Sequence, residues 1–163
     1  SFYYAMVYAV TKAVNRVENF RYAIQDGQVV LLSERIPSFT DMKKGSDLFQ
    51  IVTIPFEGTV GEFAVEARRA SESQKSFIDF EKETDAAIYL TCAPWLDITA
   101  LRNEGISDPD DSIPRIGWGK FTEENERKLL CISMEVNHRF IDGIHLAQFQ
   151  DALTEVIGEI CLG

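Results

Sequence analysis

The chain has 163 residues, 45% hydrophobic and 26% charged, enough for one domain with a sizeable core. Its net charge of −10 argues against a nucleic-acid partner, because gripping a phosphate backbone takes a cationic surface. No apolar run approaches the roughly 20 residues that span a bilayer, so no membrane partner is expected.

Phe2 to about Val17 is predicted to be a helix, because Phe2, Met6, Ala9, Val10, Ala13 and Val17 recur at three- and four-residue steps. With no basic residues ahead of it, this segment is expected to be an amphipathic helix and not a signal peptide. Asn19 to Ile24 looks like a short strand, Asp26-Gly27 is a hairpin turn, and Gln28 to Leu32 is the return strand. Pro37 and the polar run Asp41 to Asp47 mark a loop before a β segment over Leu48 to Ile54. Thr59-Val60-Gly61-Glu62 has the form of a capping box and opens a helix to about Ser73. Ala86 to Cys92 is a strand halted at Pro94. Asn103 to Ser112 is acidic and rich in turn formers, a mobile loop flanked by candidate strands at Ile98 to Leu101 and Ile116 to Lys120.

In Leu129 to His138 the apolar residues alternate, so Leu130, Ile132, Met134, Val136 and His138 are predicted to share one strand face. Leu146, Phe149, Leu153, Val156, Ile157 and Ile160 then form a helical stripe. The order lacks βαβ regularity, which favours an α+β fold with a mixed, largely antiparallel sheet and helices packed on it. Eleven Phe and five Tyr point to an aromatic-rich interior or pocket. Cys92, Cys131 and Cys161 show neither a CxxC pair nor a zinc pattern. No metal is expected, Cys131 should be a small buried hydrophobe, and the setting should be reducing and cytoplasmic.

His138 stands at a strand-to-helix junction, where rigid elements fix a ring and a turn opens toward a cleft, a favourable place for a general base. The run His138-Arg139-Phe140-Ile141-Asp142-Gly143 resembles the His-x-x-x-Asp-Gly signature of CoA-dependent acyltransferases, and within them the chloramphenicol acetyltransferases. Ser1-Phe2-Tyr3-Tyr4-Ala5, Ala13-Val14-Asn15-Arg16, Asn19 to Ile24, Asp26-Gly27, Ala93-Pro94-Trp95, Gly119-Lys120 and the last helix resemble that family's blocks in order, over nearly the whole chain. The resemblance implies a single acyltransferase domain over residues 1–163 that begins at the family's first helix. The family's segment before that helix would then be lacking.

The implied reaction is transfer of an acetyl group from acetyl-CoA, a co-substrate rather than a resident cofactor, to a hydroxyl of chloramphenicol or a related small molecule. A hydroxyl is a poor nucleophile until a base takes its proton, and a histidine of ordinary pKa about 6.5 suits that task. His138 is therefore the expected base, one ring nitrogen facing the acceptor and the other N–H tied to an acceptor group. The resemblance implies that Asp142 is a buried structural residue, ion-paired to an arginine, that supports the His138 turn. In the family that arginine precedes the first helix. Here Arg139 is a substitute for it or else faces solvent.

Thr91 occupies the place of a hydroxyl residue that donates to the oxyanion of the tetrahedral intermediate, or it is simply a strand threonine. Lys120 either contacts CoA or is a solvated strand-end lysine. Trp95 and Trp118 either flank the CoA channel or pack in the core. His145 is expected to be structural. The family also implies a homotrimer with active sites at subunit interfaces, and antibiotic resistance as the role. Asn137-His138-Arg139 departs from the family's usual His-His pair and is similar to the motif of dihydrolipoyl acyltransferases, whose acceptor is a thiol. A thiol acyltransferase and a non-catalytic CoA-binding relative stay open as alternatives.

Overall fold

The elements run α1 (Phe2–Arg16), a 3₁₀ turn (Glu18–Arg21), β1 (Tyr22–Gln25), β2 (Gln28–Leu31), β3 (Ile36–Met42), β4 (Phe49–Thr53) and α2 (Val60–Ser73). Then follow β5 (Ala87–Cys92), β6 (Arg115–Trp118), β7 (Thr122–Glu124), β8 (Arg127–Leu129), β9 (Ile132–Glu135) and α3 (Gly143–Leu162). The computed structural model describes residues 1–43, 45–103, 108–125 and 127–162. The expected α+β class holds. A mixed sheet in the order β4-β3-β5-β6-β9 has parallel pairs at its centre and antiparallel pairs at both edges, and β1-β2 and β7-β8 form separate hairpins. No described helix is long and apolar enough to cross a membrane.

α1 is buried nearly all round, not along one stripe, because it packs against β3 and β5 as well as α2 and α3. Val7, Val10 and Val14 have no exposed surface, and each such side chain contributes about 1.5–3 kcal/mol by leaving water. Phe2, assigned to the buried stripe, is 60% exposed. The Asp26-Gly27 turn forms as expected, with positive φ at both residues (51° and 71°), the geometry whose twist matches a hairpin. The capping box also forms. Thr59 Oγ1 accepts from the Glu62 N–H at 3.3 Å, and the Thr59 N–H donates to Glu62 Oε2 at 2.8 Å.

Several expectations are corrected. Asn19 to Arg21 is a 3₁₀ turn, not strand, pulled inward by Phe20, which is fully buried and packs on Phe149. Pro37 lies inside β3 and not in a loop. Ile36 spends its N–H on Ala86 O, so position 37 faces β4, whose pairing begins only at Ser38; the missing proline N–H breaks no ladder bond. Ile98 to Leu101 is irregular. Of the expected loop at Asn103 to Ser112, residues 104–107 lie outside the described residues, as does Lys44 of the loop at Asp41 to Asp47. In the α3 stripe Phe149, Leu153 and Val156 are buried, whereas Leu146 and Ile157 are exposed.

One buried cation ties these elements together. Arg35 has no exposed surface. Its Nε donates to Phe20 O at 2.8 Å. Its Nη1 donates to Asp85 O and Ala87 O at 2.6 and 3.4 Å, and its Nη2 to Tyr22 O and Ser112 O at 2.7 and 3.1 Å. Burial pushes its pKa down to about 10, with Asp85 opposing.

Three tyrosines make the fold sensitive to alkali. Tyr3 donates to Thr40 O, Tyr4 to Asp41 Oδ2 at 2.6 Å, and Tyr89 to Glu83 Oε2 at 3.0 Å. Burial first, and then the neighbouring carboxylates, hold all three phenols above the ordinary 10.0, with Tyr89 raised to about 12. Above pH 10 the unfolded chain releases these protons while the folded chain retains them, so stability falls as pH rises. The melting temperature should drop as pH rises from about 10 to 12, and less so in Tyr4→Phe. An unchanged thermal melt across that range would contradict this.

Candidate active site

The strand expected over Leu129 to His138 is broken. Leu129 ends β8, Cys131 is exposed in the connection, not buried, and β9 stops at Glu135. His138 therefore sits on a turn beyond the strand rather than on its apolar face, and it is exposed. Both sides of that turn are pinned. Ile141 is 4% exposed and anchors the end nearest α3. Asn19 Nδ2 donates to Phe140 O at 2.7 Å, and the Phe140 ring stacks on Tyr22 with centroids 5.7 Å apart. On the other side the Asn137 side chain accepts from the Arg139 N–H at 3.0 Å and donates to Pro109 O and Asp111 O at 3.2 and 2.9 Å.

The imidazole of His138 has no hydrogen-bond partner among the described residues, so the acceptor expected for its second nitrogen is not found there. Asp142 departs further from expectation. It is exposed, not buried, and no described cation pairs with it. Arg139 pairs instead with Asp110 at 2.7 Å. Asp142 caps α3: its Oδ1 accepts from the Gly143 N–H, and its own N–H donates to His145 Nδ1 at 3.0 Å. His145 thus plays the structural part expected of it, in the place that glutamate takes in a capping box.

Thr91 lies at the other end of the sheet. It is half-buried near the end of β5, level with Gly117 on β6. The segment from Leu96 to Leu101 crosses close over β6. A Cβ on Gly117 would come within 2.7 Å of Leu101 Cδ2, and one on Gly119 within 2.5 Å of Leu96 O. Ser133 Oγ donates to Leu101 O at 2.8 Å and accepts its N–H at 3.0 Å. Glu135 Oε2 accepts from Asn103 N and Nδ2 at 2.9 and 2.8 Å. Trp95 is 69% exposed beside this segment, whereas Trp118 is core, 1% exposed. Lys120 is exposed, its N–H bonded to Leu96 O at 2.7 Å. Burial pushes the Cys92 thiol up to about 11. Burial thus disfavours the thiolate form.

Within one chain these residues do not meet. Thr91 is level with Gly117, which pairs with Ser133, and His138 lies five residues beyond Ser133 toward the opposite sheet end. At about 3.3 Å per residue and about 4.8 Å per strand, the separation is roughly 15–20 Å. A surface hollow of about 460 Å³, lined by Glu124, Asn125, Arg127 and Leu129, contains none of the candidate residues.

A family model described as chloramphenicol acetyltransferase matches residues 1–154. The chain is 26% identical to chloramphenicol acetyltransferase 3 of Escherichia coli, over 95% of this chain and 74% of that protein. It is 26% identical to the chloramphenicol acetyltransferase of Vibrio anguillarum over the same shares. A solved chloramphenicol acetyltransferase structure superposes with a TM-score of 0.85 at 26% identity, covering 96% of this chain and 77% of that one. The dihydrolipoamide acetyltransferase of Azotobacter vinelandii has a TM-score of 0.73 at 16% identity, covering 98% and 69%, and so shares the fold alone.

Proposed function

The chain belongs to the chloramphenicol acetyltransferase family of acyltransferases, and we propose that it transfers acetyl from acetyl-CoA to a hydroxyl of chloramphenicol or a related small molecule, with His138 as general base. The carrying observation is the exposed imidazole, without a hydrogen-bond partner among the described residues, on a turn pinned at both sides. In this reading the acceptor oxygen attacks the thioester carbonyl while its proton passes to a ring nitrogen of His138. Thr91 Oγ1 donates to the oxyanion that forms. Collapse breaks the C–S bond, and the imidazolium returns its proton to the leaving CoA thiolate. Lys120 and Trp95, both exposed near the Thr91 end, are the proposed CoA contacts.

The separation of His138 from Thr91 supports a site shared between copies, each trimer interface taking its histidine from one chain and its threonine from the neighbour. The test is CoA thiol release by the complete protein, with chloramphenicol as acceptor, in mixed assemblies. His138→Ala and Thr91→Ala are each impaired alone, but random mixing restores about one quarter of the sites. A mixture no more active than its parts would reject the shared site. The motif Asn137-His138-Arg139 also suits a thiol acceptor, so dihydrolipoamide belongs in the same assay. Thiol transfer without transfer to chloramphenicol would favour that second reading.

A further inference from the structure

Asn137 fastens the N-terminal half of the His138 turn, and it does so with every polar atom of its side chain. Its two amide hydrogens go to the carbonyls of Pro109 and Asp111, and its oxygen takes the Arg139 N–H. The strap it grips, residues 108–112, is itself rooted in the core. Ser112 is 8% exposed; its carbonyl accepts from the buried Arg35 at 3.1 Å, and its hydroxyl accepts from the Ile24 N–H at 3.0 Å. Asp111 pairs with Arg115 at 2.7 Å with little of either side chain exposed. The Arg139–Asp110 pair is about half exposed on both sides and adds little by comparison.

From this geometry we infer that Asn137 is a positioning residue for the proposed base, clamping the His138 turn onto a strap that Arg35 holds against β1 and β5. The inference rests on the reading of His138 given above. The far side of the turn is fixed independently by Asn19, Ile141 and the Phe140–Tyr22 stack. Loss of the clamp therefore leaves the turn attached but frees residues 137 and 138 to rotate, which moves the ring without dismantling the fold. No other residue type of this size meets the demand. Aspartate lacks the two donors, and serine keeps the local bond to the Arg139 N–H but is too short for the strap.

The experiment is steady-state kinetics of the full chain as parent, Asn137→Ser, Asn137→Leu and His138→Ala, with far-UV circular dichroism and thermal melts. In both Asn137 variants kcat is expected to fall about 10–100-fold, with the KM for acetyl-CoA within about twofold of the parent. A folded Asn137→Ser with parental kcat overturns the clamp. So does a kcat loss that tracks a raised KM and a lowered melting temperature, or failure of both variants to fold, since each marks a merely structural residue. If His138→Ala keeps the parental rate, or the parent shows no acceptor-dependent thiol release, the functional reading fails and the clamp falls with it. An inactive His138→Ala beside a fully active Asn137→Ser removes the clamp alone.

Discussion

Replacing His138 with alanine is expected to lower kcat about 10²–10⁴-fold, the usual contribution of a positioned general base, while leaving the KM for acetyl-CoA near its parental value. The split follows from the role. The base acts on a proton that is in flight only in the transition state, so its loss removes no ground-state contact with the thioester. His145→Ala is the matched control, because that ring is bonded to the Asp142 N–H and turned into the start of α3. It should cost stability through the lost cap, not the acyl-transfer step. A His138→Ala enzyme with parental turnover would take the base away from this residue.

What could be seen in advance divides by the range of the forces involved. Asp26-Gly27 and Thr59-Glu62 are local chemistry, a positive-φ turn and a reciprocal cap, and both form as the residues demand. The family blocks carried the architecture in the same way. Pro37 misled because its tolerance depends on which neighbour position 37 faces, a property of the sheet order and not of the dipeptide.

The row from Leu129 to His138 misled because alternation continues across a break in the strand at residues 130 and 131, where pairing with β7 ends and pairing with β6 begins. The β7–β8 hairpin that precedes it turns on Asn125, at φ 50°, without the glycine that usually marks such a turn. Asp142 misled through the resemblance itself. Its carboxylate caps its own helix, and the support of the His138 turn comes from Asn137, Asn19 and residues 108–112, contacts between segments far apart in sequence. Arg35 gave no signal at all, being a lone arginine between a hairpin and a strand.

That same Arg35 carries the largest expected effect on stability. Arg35→Met keeps an apolar stem but removes the donors to five carbonyl oxygens, those of Phe20, Ala87 and Ser112 in buried contacts and those of Tyr22 and Asp85 in part-buried ones. An unsatisfied buried acceptor costs about 1–3 kcal/mol. Some of the five find water or relax, so a net loss of about 3–5 kcal/mol is expected, a large share of a typical domain's margin. Arg35→Lys should recover only part of it, since an ammonium has three donors and no planar fork to span carbonyls on opposite sides. Arg16 is the contrast. It reaches Glu155 and Glu159 at 3.4 and 2.6 Å, but those partners are 72% and 48% exposed, so Arg16→Ala should cost no more than about 1 kcal/mol. Urea unfolding at one fixed protein concentration measures all three variants against the parent. If Arg35→Met unfolds within about 1 kcal/mol of the parent, the guanidinium is a tolerated passenger, and the strap must owe its rigidity to the Asp111–Arg115 pair.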